Sequence, residues 1–180
     1  TNGTTFTAKA QLAPLAAVPL RTATVDASAI DLKAWDPSLP ETRIEATVRA
    51  EPDGNGLAGT LSATNQNAGP LDAGKLPVRA ATARYGWGEA LLSLDELRAD
   101  LPGSGNLHGR ARIPLGAGAG GGAWSLVLAG VDLSAIHSKL VKTRLAGRID
   151  AELAPERQRL SGDLRDQSMA GGIAVEFAAA

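Results

Sequence analysis

Apolar and polar residues alternate with a period of two along most of this chain, the pattern of strands whose side chains point to opposite faces. In Arg43 to Ala50, Ile44, Ala46, Val48 and Ala50 share one face, and Arg43, Glu45, Thr47 and Arg49 share the other. The same reading gives apolar sets Leu57, Gly59, Leu61 and Ala63, then Leu107, Gly109, Ala111 and Ile113, then Trp124, Leu126 and Leu128. Leu145, Gly147, Ile149, Ala151 and Leu153 follow, then Leu160, Gly162 and Leu164, and Ile173, Val175 and Phe177 close the series. The opening TTFTAKAQL reads as a further strand. One face greasy and one wet is the mark of antiparallel sheet with one covered side.

The punctuation between runs fits hairpins. Asp53-Gly54-Asn55-Gly56 supplies residues that tolerate positive φ between two alternating runs. Gly86-Trp87-Gly88-Glu89 and Pro102-Gly103-Ser104-Gly105 read as two more turns, and Ala154-Pro155-Glu156-Arg157 as another. Asn65 to Gly74 reads as a loop between units. Leu32 to Trp35 and Leu133 to Ser138 each follow an Asp and fit a single helical turn, too short to stand alone. Glu89 to Asp100 could pass for an amphipathic helix through Leu91, Leu94 and Leu97. The preferred reading is two short strands or one bent strand. Leu92 and Leu94 alternate, Leu97, Ala99 and Leu101 alternate in the opposite phase, and Asp95-Glu96 is the bend.

The chain also repeats itself. DLKAWDPSLPETRIEATVRA from Asp31 aligns without a gap on DLSAIHSKLVKTRLAGRIDA from Asp132. The two share Asp31/Asp132, Leu39/Leu140, Thr42/Thr143, Arg43/Arg144 and Ala50/Ala151. After the turn the match resumes as Leu57, Gly59 and Leu61 against Leu160, Gly162 and Leu164. A long period of this kind predicts stacked strand units, with tentative units 20–75, 76–122 and 123–180 inside a single repeat-built β domain over 1–180. A stacked array offers a continuous surface more naturally than a single pocket.

Composition narrows the function classes. The 180 residues carry a net charge of −1, which gives no electrostatic case for nucleic acid or for an anionic membrane surface. There is no cysteine, which excludes disulfides and thiolate metal sites. Hydrophobic residues make up 44% but aromatics only 3%, so the apolar content is Ala, Leu, Val and Ile rather than the rings that dominate burial in ordinary cores. No apolar run approaches the ~20 residues of a transmembrane helix, and no signal peptide opens the chain. Both ends read as cut from a longer chain.

A recurring order runs through WDPSLPETRIEATVRA, GLAGTLSATN, AGPLDAGKLPVRAATARYGW and ALLSLDELRADLPGSGNLHGRARIPL, then GGAWSLVLAGVDLSAIHSKLVKTRLAGRIDAEL. It is alternating strand, small turn, Leu-Pro-Gly-Ser-Gly before a Gly-containing strand, then Asp-Leu-x-x-Ile. In these residues, from about Leu20 to Leu164, the chain resembles the TamB family of the AsmA-like superfamily of bacterial envelope proteins. The resemblance implies an all-β fold: an elongated, mostly antiparallel sheet folded into an open apolar trough, a β-taco, with short helical turns between units. It implies a periplasmic section of an inner-membrane-anchored protein that works with an outer-membrane barrel partner of the TamA type. It also implies movement of phospholipid to the outer membrane and support for assembling outer-membrane proteins. Neither the anchoring helix nor a barrel-docking segment is identifiable here, so membrane contact is expected only through the missing anchor.

The chemistry suits a lipid bridge. Each methylene moved out of an apolar phase costs ~0.8 kcal/mol, so an acyl chain of about sixteen carbons faces on the order of 12 kcal/mol. Small and medium aliphatic side chains offer grease at every step without shaped pockets that would stall transport. Roughly ten strands at ~4.8 Å give an axis of about 48 Å, long enough to hold a lipid. The candidate lining is Ile44, Val48, Leu57 and Leu61, then Leu92, Leu94, Leu107 and Ile113. Leu126, Leu128, Leu145, Ile149, Leu160 and Leu164 complete it. The same alternation is ordinarily the core face of a β-sandwich; whether the apolar faces meet or stay open separates the two. The alternative function is a scaffold or chaperone for outer-membrane protein (autotransporter) assembly by strand addition.

No catalytic residue, metal site or cofactor is expected. His137 lies near Asp132 and Ser134, but a triad needs groups converging from different places, and these share one turn. His108 falls on the wet face of its strand. Gly116 to Gly122 lacks the Gly-Lys-Ser/Thr ending of a phosphate loop and reads as a flexible connector. Asp26, Asp31 and Asp36 do not have calcium-loop spacing. Asn2-Gly3-Thr4 fits a glycosylation sequon that occurs often by chance. Trp124 is expected on the apolar face, with Trp35 and Trp87 covering its ends.

Overall fold

A computed structural model of the chain describes residues 3–13, 20–54, 56–115, 121–154, 157–168 and 173–179, the last as backbone. Its strands are β1 (Thr5–Leu12), β2 (Leu20–Ile30), β3 (Ile44–Asp53), β4 (Gly56–Asn65), β5 (Ala80–Gly88) and β6 (Leu91–Asp100). They continue with β7 (Asn106–Pro114), β8 (Gly122–Val131), β9 (Leu145–Ala154), β10 (Arg157–Asp166) and β11 (Ile173–Ala179). All pair antiparallel in sequence order in one sheet, so the fold is an all-β meander. Among the described residues helix is confined to short turns: 3₁₀ turns Leu32–Ala34 and Leu71–Ala73, and α1 (Leu133–Ile136). One sheet runs through all three expected units.

The expected bent strand is β6, a single strand whose register slips between Leu94 and Leu97 with Glu96 at φ 50°. Two further bulges interrupt β2 between Ala27 and Ile30 and β8 between Leu128 and Val131, with Ala29 and Gly130 at positive φ. Each adds a residue, bends the strand and increases local twist. The hairpin at Asp53 and Gly56 and the turn at 102–104 stand where the turn residues placed them.

Three expectations need correction. The β5–β6 turn is not at Gly86–Glu89: β5 runs through Gly88, and Glu89 and Ala90 make the turn with φ 50° and 57°. The Gly-x-Gly spacing that suggested a turn lies inside a strand. The repeat keeps an offset of 101 residues through its second half, because the β3–β4 and β9–β10 pairs close at Asp53↔Gly56 and Ala154↔Arg157. Leu61 therefore corresponds to Gly162 and Gly59 to Leu160, not Leu61 to Leu164. Strands β2 and β5 went unpredicted, since half of their inward positions are alanine and give little hydrophobic contrast. Asn55, residues 155–156, residues 116–120 of the glycine connector and Asn2 of the sequon lie outside the described residues.

The repeat has a physical basis in its corners. Asp31 caps the first 3₁₀ turn by accepting from Lys33 N and from Thr42 N. Thr42 accepts from Leu32 N and donates to Ile30 O. In the second copy Asp132 accepts from Ser134 N and Thr143 N, while Thr143 accepts from Leu133 N and donates to Val131 O. Both threonines are buried. One step further, Arg43 N donates to Asn65 Oδ1 and Arg144 N to Asp166 Oδ1, again 101 residues apart. The repeated polar residues thus satisfy the orphan amides of a strand–turn–strand corner.

Candidate functional site

Cross-strand register gathers the apolar positions on one face. Val25, Val48, Leu61 and Ala83 form one row, and Leu57, Trp87, Leu92 and Ile113 another. Leu94, Ala111, Trp124, Ala151 and Leu160 form a third. Leu97, Gly109, Leu126, Ile149 and Gly162 form a fourth, and Ala99, Leu107, Leu128, Gly147 and Leu164 a fifth. Ile44 lies between Ile30 and Asn65 at one end, and Leu145 between Val131 and Asp166 at the same end. All fourteen candidate lining residues therefore share one side of the sheet. Trp124 is on that face, as expected. Trp87 lies in the last row before the β5–β6 turn, at one end of that face, and Trp35 stands on the loop after β2 at the other end.

Among the described residues the strands form one sheet, and no second sheet packs on this face. The accessible surface is 11581 Å², whereas a compact monomer of this 18.4 kDa mass exposes about 8,200 Å². Among the described residues, the buried apolar side chains are Ala83, Ala99, Leu101, Ala111 and Val131, all on the apolar face or its continuation. The bulky members remain half-buried or exposed, with Trp87 51% and Leu160 41% accessible. Buried alanines between half-exposed leucines describe a surface whose floor is covered by its own neighbours. Glycines sharpen the local approach of strands: a Cβ on Gly59 would overlap the Arg49 carbonyl, and one on Gly109 the Ser125 carbonyl. Tyr85, on the same face, donates its hydroxyl to Arg49 O at 3.0 Å, and burial raises its pKa.

The opposite face is wet. Thr47 donates to Asp26 at 2.7 Å, and Arg148 donates to Asp150 and to Ser125. That arginine, then Ser125, holds the Asp150 carboxyl below its usual range. Two hollows open here: one of about 360 Å³ lined by Thr7, Asp26, Thr47 and Ser62, and one of about 420 Å³ lined by Arg110, Arg112, Ser125 and Asp150. His108 is exposed on this face, opposite Arg98 and Val127.

The one catalytic arrangement weighed from the sequence is not assembled. The Ser134 hydroxyl donates to Asp132 at 2.7 Å, and His137 lies instead 3.7 Å from Asp72. The Ser134 hydroxyl is also the main cause of the lowered Asp132 pKa. Asp72 is lowered chiefly by the Ser138 hydroxyl and amide, which donate to it across four intervening strands. Among the described residues no group of three or more His, Asp or Glu could hold a metal ion, and no helix is long and apolar enough to cross a membrane.

Fold and register together describe one antiparallel β-sheet whose fourteen candidate lining positions share a side. No protein-family model, no curated protein and no solved structure matches the chain.

Proposed function

We propose that the chain is a non-catalytic section of a hydrophobic conduit, carrying phospholipid acyl chains along an open trough whose floor is the apolar face. The observation that supports this reading is a register that puts the apolar positions of successive strands on one side of a single sheet, against which no second sheet packs among the described residues. Curvature toward that face draws support from the buried alanines of β5, β6 and β7, from the bulges in β2, β6 and β8, and from the glycine close approaches.

An open trough lets each acyl methylene leave one patch of Leu, Val and Ala for the next, while the headgroup stays in water. The resemblance to the TamB family supplies the setting: a periplasmic bridge in outer-membrane biogenesis, with a TamA-type barrel as partner. A second reading, a scaffold that templates outer-membrane strands, draws on β1, whose eight residues are all exposed along a sheet edge.

Site-specific photo-crosslinking separates the readings. Probes at Ile44, Leu61, Leu126 and Leu160 are expected to capture phospholipid, and probes at the wet-face positions Thr60 and His108 are not. Capture of unfolded β-barrel protein at β1, with no lipid from any position, would replace the conduit by the scaffold.

A further inference from the structure

Five accessible apolar side chains outside the trough face sit on loops at one end of the sheet, and two less accessible ones, Leu91 and Leu115, lie at the other end. The five are Trp35 at 62%, Val141 at 72%, and Leu39, Leu71 and Leu140. Antiparallel order brings the β2–β3, β4–β5 and β8–β9 loops to the end that these five share. They join into one layer: Glu41 N donates to Gly74 O, and Ser138 N donates to Asp72. Leu39 and Leu140 occupy equivalent places in the two copies.

Charge follows the same layer. Four of the five lysines, Lys33, Lys75, Lys139 and Lys142, lie in these loops. Over residues 31–43, 66–79 and 132–144 there are seven basic and five acidic residues, a net +2 in a chain whose total is −1. The acids are engaged by hydrogen bonds within the loops: Asp31, Asp36 and Asp132 accept from turn amides, Glu41 from Asn67 and Asp72 from Ser138. No lysine takes part in an ion pair among the described residues. The rim therefore presents free ammonium groups interleaved with isolated, protruding Trp, Leu and Val.

We propose that this loop rim is a peripheral contact for an anionic bilayer surface. Ammonium groups on flexible stems bind the negative headgroup layer, each contributing on the order of 1 kcal/mol. Lone aromatic and aliphatic side chains insert at the headgroup–acyl boundary. A folded acidic protein would instead favour a contiguous apolar patch with arginine anchors, and here the apolar side chains stand singly on three loops. This proposal does not rest on the conduit reading, since the rim residues are outside the apolar face.

Vesicle co-flotation tests it, using phosphatidylcholine alone and phosphatidylcholine mixed with phosphatidylglycerol. The chain is expected to float with the anionic vesicles at low salt and to be released as ionic strength rises past ~0.15 M, where the Debye length is about 8 Å. The double change Lys139→Glu with Lys142→Glu is expected to weaken flotation roughly tenfold or more. Val141→Asp is expected to weaken it with the lysines intact. The wet-face pair Arg110→Glu with Arg112→Glu serves as the charge-matched control and is expected to leave flotation in place. Circular dichroism of each variant verifies the fold. Equal flotation with neutral vesicles, absence of flotation, an equal loss in the wet-face control, or indifference to the rim changes would each overturn the proposal. Lipid crosslinking from Leu61 would persist under every one of those outcomes if the conduit reading holds.

Discussion

Replacing Leu61 by arginine puts a charge in the middle of the apolar face, where open and sealed faces answer differently. Leu61 sits on β4 between Val48 and Ala83 and is half-buried. Full burial of a leucine is worth about 1.5–3 kcal/mol, so losing a half-buried one costs roughly 1 kcal/mol. On an open face the long arginine stem can cover its neighbours while the guanidinium reaches water, and little further penalty follows. With a urea slope of about 2 kcal/mol per molar, the unfolding midpoint should fall by roughly 0.5 M, with the far-ultraviolet spectrum unchanged. In a sealed interior the same guanidinium would be buried unpaired, at a cost of several kcal/mol, enough to unfold a domain of ordinary stability. Leu145→Arg repeats the experiment at the loop end of β9. Phospholipid recovered by mass spectrometry from the folded variants should drop, because the charge interrupts the apolar path. Loss of folding in both variants would refute the open face, and undiminished lipid in folded variants would refute the conduit.

Thr143→Val removes the hydroxyl that accepts from Leu133 N at 3.0 Å and donates to Val131 O at 3.1 Å. Leaving those groups unpaired should cost about 1–3 kcal/mol in urea unfolding, and an unchanged midpoint would show that the clasp does not hold the corner. The Arg144 amide, then the Ser168 amide and hydroxyl, hold the Asp166 carboxyl below its ordinary range. A depressed carboxyl contributes stability that is present above its unfolded pKa, near 3.9, and lost as pH falls through the folded value. Acid titration below about pH 4 should therefore destabilise the chain, and Asp166→Asn, copying Asn65, should flatten part of that slope; an unaltered slope would exclude Asp166 as a contributor. Glu89 and Ala90 both adopt left-handed backbone, which is costly for residues other than glycine and asparagine. Replacing the pair by Asn-Gly should raise stability by about 1–2 kcal/mol in thermal unfolding, and a lower melting temperature would contradict the turn geometry.

Strand content and the division of residues between two faces were legible because Leu, Ile and Val alternate with charged residues over whole strands. The bend at Asp95-Glu96 was legible for the same reason: a bulge reverses the phase of alternation, and the phase is visible when leucines mark it. Strands β2 and β5 were not, because Ala23, Ala81 and Ala83 barely differ in hydropathy from the threonines beside them. The β5–β6 turn was misplaced because Gly86 and Gly88 were read as turn residues, while the turn fell on Glu89 and Ala90 against local preference. The loop layer was beyond the sequence, since Asp72 and Ser138 stand 66 residues apart with no pattern linking them.

The corrected repeat alignment bears on what the apolar face selects. With the offset held at 101 residues, the corner groups coincide chemically: Asp31 with Asp132, Thr42 with Thr143, Asn65 with Asp166. The inward positions of β4 and β10 do not coincide in shape. Leu61 corresponds to Gly162 and Gly59 to Leu160, so leucine and glycine exchange places between copies, and Ala63 corresponds to Leu164. A face built to grip one rigid ligand would need the same contour wherever the ligand bound, since packing against a fixed shape is sensitive to single methylenes. A face that only has to exclude water from a flexible acyl chain tolerates such exchanges as long as the patch remains apolar. The corners therefore fix how one unit joins the next, and the surface between them is free to vary in relief while keeping its grease. That division of labour predicts that Leu160→Gly combined with Gly162→Leu, which writes the first copy's order into the second, should leave lipid recovery within about twofold of the unaltered chain. A larger loss in a folded variant would mean that the face recognises shape after all.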